Sequence, residues 1–140
     1  MRLTVLTLVV ALAGCNGTSP KIEVSDAWAR ATAPGQSSGA VYATILNDGG
    51  GDELISVSTG AGSAMLHSND SIDGVARMRM MAKLPIPARS RVELAPGAAH
   101  VMLGGLKAPL VAGAKFRVTF QFAKAGPRTV EVGVVAAGAR

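Results

Sequence analysis

Four residues of this chain could together hold a soft metal ion: His67, Met78, His100 and Met102. Ten residues separate the first pair, twenty-one separate Met78 from His100, and one separates His100 from Met102. The last two sit in the run A-H-V-M-L-G-G-L-K, Ala99 to Lys107. Residues two apart on a strand project from the same face, so His100 and Met102 would present an imidazole beside a thioether. Neither group is charged at neutral pH, and both suit Cu(I). Zinc prefers Cys, His and carboxylates. A blue-copper centre requires a Cys thiolate. Calcium and magnesium require oxygen clusters, which this region lacks.

Methionine is ordinarily core filler, so one His/Met pair carries little weight. Here the clustering adds to it. Both histidines, and every methionine except Met1, fall between Met65 and Met102. Met65/His67, Met78/Met80 and His100/Met102 are three same-face pairs on three separate strands. If those strands lie side by side, four soft donors converge. Met65 and Met80 are then auxiliary sulfurs or core. Met81 faces away with Arg77 and Arg79 and is read as packing. Those arginines form a solvated strand face or guide an acidic partner. Uncharged donors leave bound Cu(I) with a low net charge, which tolerates partial burial. They also yield the ion to a Cys-bearing acceptor by stepwise ligand exchange. Ligating histidines must be neutral, so binding should weaken below about pH 6.5.

The elements that position these residues read as strands. Ile22 to Ala29 is a first strand, with Ile22, Val24 and Trp28 expected on one face. Gly39 to Leu46 alternates, Asn47 to Gly51 turns, and Glu53 to Thr59 should pair back as a hairpin. Ala64 to Ser68 carries Met65 and His67. A turn over Asn69 to Gly74 leads to Val75–Lys83, which Pro85 and Pro87 end. Arg91 to Leu94 and His100 to Leu103 flank the Pro96-Gly97 turn. Lys115 to Phe122 alternates cleanly, with Phe116, Val118, Phe120 and Phe122 inward. Thr129 to Val135 closes the chain with Val130, Val132 and Val134 inward. No window of helical length has a capped 3.6 period. Seven to nine short strands make an all-β, antiparallel β-sandwich of a single domain, residues 22–137.

Residues 1–14 fall outside that domain. Arg2 is a positive n-region, and Leu3 to Ala13 an apolar stretch of signal-peptide length. The run L-A-G-C, Leu12 to Cys15, looks like the lipobox of bacterial lipoproteins, which implies cleavage before Cys15 and its lipidation. Residues 15–21 are then the lipidated Cys and a polar tether of at most ~20 Å. The domain would be periplasmic and held to a membrane by its lipid anchor, and Asn16 after the Cys favours the outer membrane of a Gram-negative cell. Cys15 is the only Cys, so no intrachain disulfide can form.

The formal net charge is +5, without any block of like charges. Few aromatics are available for base stacking, which argues against nucleic acid as a partner. The triple glycine Gly49–Gly51 lacks the G-K-[ST] ending of a phosphate loop. There is no Cys nucleophile in the domain, and no paired carboxylates stand near a His, so an enzyme is not expected.

The spacing H-x10-M-x21-H-x-M, with its terminal H-V-M-L-x-G-L-K, resembles the periplasmic copper(I) chaperones of the PCuAC family. So do W-A-R-A-T-A-P-G at Trp28 to Gly35 and G-A-V-Y-A-T-I at Gly39 to Ile45. The resemblance spans roughly residues 22–135. It implies a cupredoxin-like β-sandwich and one Cu(I) held by His67, Met78, His100 and Met102 near the surface. It also implies delivery to the binuclear copper centre of cytochrome c oxidase, often alongside Sco-type thiol proteins. Two positions depart from the commoner pattern. Asn69 stands where many members have Met, and the chain ends V-V-A-A-G-A-R without a His/Met-rich tail. The alternatives are a lipoprotein that sequesters copper, and a structural β-sandwich without metal.

Overall fold

The structure is a computed structural model, in which residues 17–140 are described. The leader and Cys15 lie outside them. Ten strands form: β1 Ile22–Arg30, β2 Gly39–Asn47, β3 Asp52–Thr59, β4 Ser63–Ile72, β5 Val75–Met81, β6 Leu84–Ile86, β7 Ser90–Leu94, β8 His100–Gly104, β9 Lys115–Phe122 and β10 Gly126–Val135. They follow one hydrogen-bonded path, β5-β4-β8-β2-β1-β10-β9-β3-β6, with β7 also paired to β2. Among the described residues there is no helix. The alternation on β9 turns out as expected: Val118, Phe120 and Phe122 are fully buried, and Phe116 packs against them. Val132 and Val134 of β10, Leu54 of β3, Val41 and Ile45 of β2, and Val101 and Leu103 of β8 complete a continuous aliphatic and aromatic core.

Four local features differ from the sequence reading. Trp28 does not continue the face of Ile22 and Val24. The β1–β2 register shifts between Ser25 and Trp28, where Asp26 adopts a φ of 47°. This β-bulge adds a residue and reverses the alternation, so Ala29 is buried and Trp28 faces outward. Second, β2 and β3 are not a hairpin. β2 pairs with β1, β7 and β8, whereas β3 pairs with β9 and β6. Third, the strand over Val75–Lys83 does stop before the prolines, at Met81, but the proline-bearing segment Leu84–Ile86 beyond it forms a further short edge strand on β3, the position where a missing ladder donor is tolerated. Fourth, β1 and β10 run parallel, while the other strand pairings are antiparallel.

The crossover from β2 to β3 is fastened by Asn47. Its buried amide oxygen accepts from the N–H groups of Lys21 and Gly49, and its nitrogen donates to the carbonyls of Gly50 and Pro87. Residues 18–21 are therefore not a free tether: Gly50 N–H also donates to Ser19 O, and Asp48 N–H to Lys21 O. Gly49 and Gly50 permit this docking, because a Cβ at either would collide with the backbone of Ser19 and Thr18. Nearby, the buried Asp52 carboxylate accepts from the N–H groups of Glu53, Lys124 and Ala125, tying β3 to the β9–β10 turn.

Candidate metal centre

In antiparallel strands, directly paired residues share a face. The register therefore defines a grid on the outer surface of β5, β4 and β8. Met80 lies opposite His67, which lies opposite His100. One step along the strands, Met65 lies opposite Met102. One step the other way, Met78 lies opposite Asn69. His67 occupies the centre of this surface. Beneath it, the alternate residues Leu66, Val101 and Leu103 are buried in the core. The donors and the core that holds their strands rigid thus alternate residue by residue.

The two histidines are brought together, their ring centroids 5.9 Å apart and nearly perpendicular. His100 is 5% exposed. Its position follows from the β7–β8 junction. Both strands pair with the same side of β2, and Ala95–Ala99 loops out between them, closed by Ala95 N–H to Ala99 O. That loop offers the Ala98 carbonyl to His100 Nδ1 at 3.0 Å. A carbonyl only accepts, so Nδ1 carries the proton, and Nε2 keeps the lone pair needed for a metal. His67 is half-buried, and its Nδ1 is buried without a hydrogen-bond partner. A buried polar nitrogen left open is costly, and a soft cation would satisfy it. The donor set fits Cu(I). Among the described residues no cluster of three His, Cys, Asp or Glu competes for a harder metal.

The four ligand candidates are not equally close. Directly opposed side chains stand about 5 Å apart at Cβ, and diagonal ones about 7–8 Å. Met102 and Met78 both lie diagonal to His67, on opposite sides of it, whereas Met80 lies straight across. β4 continues as strand through Asn69 to Ile72, beyond the turn expected from Asn69 onward. The actual turn is Asp73-Gly74, both at positive φ. This extension sets Met78 against Asn69. Met65, Met78 and Met80 are 38%, 53% and 66% exposed, so none of them is core filler. Met81 packs partly against the core, as its opposite phase predicts.

Sequence reasoning missed the wall beside His100. Tyr42 is buried with its ring 6.3 Å from that of His100, and Trp28 stacks obliquely on Tyr42 at 4.5 Å. The guanidinium groups of Arg30 and Arg140 lie 5.8 and 5.3 Å from the Trp28 ring, within cation–π range. The alternation of β2 places Tyr42 outward between buried Val41 and Ala43, but nothing local to β1 reveals the bulge that turns Trp28 the same way.

This is a small β-sandwich with a histidine–methionine surface, the architecture of PCuAC-type copper domains, and known proteins bear the likeness out. The copper-bound PCuAC domain from PmoF2 superimposes with a TM-score of 0.69 at 29% identity, covering 84% of this chain and 95% of that one. The apo PCuAC domain from PmoF1 gives 0.71 at 31%, covering 84% and 96%. The Cu(I) form of DR1885 from Deinococcus radiodurans gives 0.65 at 31%, covering 88% and 83%. The "Putative lipoprotein Lxx21020" of Leifsonia xyli subsp. xyli (strain CTCB07) is 34% identical over 94% of this chain and 86% of its own length. The family model described as "Putative lipoprotein LpqE-like" matches residues 22–134. The chain belongs to this LpqE-like family, of PCuAC type.

Proposed function

We propose that this chain is a Cu(I) carrier of the cell envelope, not an enzyme. The observation that carries the reading is the pairing of His67 with His100 on an outer sheet face, with His67 Nδ1 buried and unpartnered. Copper is its cargo. His67, Met78, His100 and Met102 hold the ion, with Met78 reaching in from the diagonal position. The Ala98 carbonyl fixes the His100 tautomer, and Tyr42 with Trp28 keeps water from one side. The other side stays open, so an acceptor can approach the methionines. An acceptor with Cys thiolates then takes the ion by stepwise exchange, each thiolate replacing a weaker neutral donor. The acceptor is the binuclear copper centre of cytochrome c oxidase, with a Sco-type thiol protein as a companion. The copper-bound and Cu(I)-bound relatives support the cargo; the acceptor rests on the family resemblance.

Lipidation of Cys15 holds the domain at the outer side of a membrane, in the periplasm where there is one. The docking of residues 18–21 on the glycine turn leaves two residues, Asn16 and Gly17, between the anchor and the docked segment. The Asn47–Gly50 end of the sandwich therefore works close to the bilayer, and the histidine pair lies further along β2, beside Tyr42.

The test is a competition titration of the full chain carrying Cys15→Ser, with Cu(I) and a chromophoric Cu(I) chelator under anaerobic, reducing conditions. One tightly held equivalent is expected, with affinity at least tenfold weaker in His100→Ala and in Met102→Ala. Unchanged affinity in both variants overturns the site. Loaded protein mixed with the oxidase copper domain then separates delivery from sequestration: a carrier loses its copper, and a storage protein keeps it.

A further inference from the structure

The hydrogen-bonded path of strands has two ends, and they are finished differently. At one end β6 is three residues long with Pro85 at its centre, a short edge that offers a neighbour little to pair with. At the other end β5 runs for seven residues without a proline. Its register with β4 is unbroken from Leu66–Met81 to Ile72–Val75, so no bulge twists this edge away. Every residue of β5 except Met81 is exposed. Among the described residues, no backbone hydrogen bond outside the β4 ladder reaches it. The turn that starts β5 also sets which groups it offers. Asp73 and Gly74 are both at positive φ, a two-residue hairpin turn that closes Ile72 and Val75 as a hydrogen-bonded pair. Bonded and non-bonded pairs alternate from there. The N–H and C=O groups of Val75, Arg77 and Arg79 are therefore engaged by β4, and those of Ala76, Met78 and Met80 point out along the free edge.

We propose that this edge docks the copper acceptor by strand addition: an extended, acidic segment of the acceptor lies along β5 and continues the sheet. The proposal rests on the carrier reading above and says how its partner is held. Strand addition takes affinity from main-chain hydrogen bonds and specificity from alternate side chains. On β5 those side chains divide by face, Arg77 and Arg79 on the face of Leu66, Met78 and Met80 on the face of His67. Arg79 meets Asp70 at 3.5 Å with both side chains well exposed, and Arg77 makes no ion pair among the described residues. β5 has no acidic residue of its own. A neighbouring strand with a carboxylate at every second position would match both guanidinium groups. The same cations disfavour a second copy of this chain. The antiparallel register that pairs the whole strand with itself, centred on Met78, sets Arg77 against Arg79 twice, and like charges directly opposed are destabilising. The metal centre favours the acceptor as the occupant. His100, His67 and Met80 form one row across β8, β4 and β5. A strand added to β5 places its own residue next in that row, about 5 Å from Met80 at Cβ, so docking brings the acceptor's donors to the border of the copper face.

The test uses the full chain with Cys15→Ser, isotopically labelled on nitrogen. It is titrated with two synthetic peptides of the length of β5, one alternating Thr and Glu, the other Thr and Lys, and followed by NMR and amide hydrogen exchange. The Glu peptide is expected to shift the amides of Ala76, Met78 and Met80 and to slow their exchange, and the Lys peptide to bind at least tenfold more weakly. In Arg77→Glu that preference is lost, and the two peptides bind alike within about threefold. Ala76→Pro removes an edge donor without touching the β4 ladder, and weakens the Glu peptide at least tenfold. Both variants keep their Cu(I) affinity within about threefold in the chelator competition. The docking edge is overturned if the Glu peptide does not bind the parent, if its responses fall on other strands, if both peptides bind the parent alike, or if the chain dimerises through this edge in sedimentation. A silent edge with Cu(I) binding intact overturns this proposal alone. Loss of Cu(I) binding with the edge responding overturns the carrier reading and leaves the edge a docking site for an acidic strand.

Discussion

Two clusters in this molecule hold buried polar atoms and are built to opposite ends. Around the β2–β3 crossover, every capacity of the Asn47 amide is used, and the Asp52 carboxylate accepts three backbone N–H bonds. Around His67 and His100, one ring nitrogen is fixed by a carbonyl and another is left with no partner at all. The closed cluster holds chain segments together. The open one leaves lone pairs uncommitted, as the proposed Cu(I) site requires. At these two clusters, saturated buried polarity goes with structure, and the open ring nitrogen of His67 goes with the proposed copper site.

Asn47→Ala is the strongest test of the closed side. It strands the N–H of Lys21 and of Gly49 and the carbonyl of Gly50 in a turn already packed, while the Pro87 carbonyl keeps the Ser90 hydroxyl. Buried groups left unmatched cost about 1–3 kcal/mol each, less where water can enter. A loss of about 2–4 kcal/mol in chemical denaturation is expected, with Cu(I) affinity kept. A variant that lost copper while staying stable would erase the distinction between the clusters.

Asp52 sharpens the same contrast through pH. Burial alone would raise its carboxyl, but the N–H groups of Ala125, Glu53 and Lys124 and the charge of Lys124 outweigh it and hold the carboxyl below its usual value. A depressed carboxyl stabilises the fold above the unfolded value of about 3.9 and loses that contribution as pH falls through its folded value. Asp52→Asn should therefore cost about 1–3 kcal/mol at pH 7, and the gap to the parent should shrink as pH falls below about 4. Denaturation curves at pH 7 and at pH 3 check it. A gap independent of pH would mean that the side chain acts by shape, not charge.

The open cluster was the more legible of the two in the sequence. Strand periodicity alone put His100 with Met102 on one face and Met65 with His67 on another strand's face, because period-2 alternation holds within a strand whatever its neighbours. Joining the two pairs was conditional on the strands lying side by side, as β4 and β8 do. The inward faces of β9 and β10 were legible for the same reason. What failed depended on pairing between distant segments. The Asp26 bulge turned Trp28 outward, and Asn47 made a crossover where a glycine-rich turn suggested a hairpin. The extension of β4 through Asn69–Ile72 set the register that brings Met80, and not Met78, opposite His67. None of these has a local signature, since each is decided by which strand lies alongside.

The gentlest intervention is also the most discriminating. His67→Leu removes the nitrogen that has no partner and puts an aliphatic chain of similar reach in the middle of the outer face. At a closed site, deleting one member of a hydrogen-bonded set leaves its partners stranded. At His67 Nδ1 there is no partner to strand, so the change should be nearly neutral for folding, within about 1 kcal/mol of the parent and in the stabilising direction if the desolvated nitrogen was a burden. The same substitution takes away the central donor, and Cu(I) affinity in the chelator competition should fall by at least tenfold. Stability kept with copper lost would identify His67 as a residue retained for its cargo at a cost to the fold. If instead the variant unfolds readily, His67 belongs with Asn47 and Asp52, and the open lone pair was never the point of the arrangement.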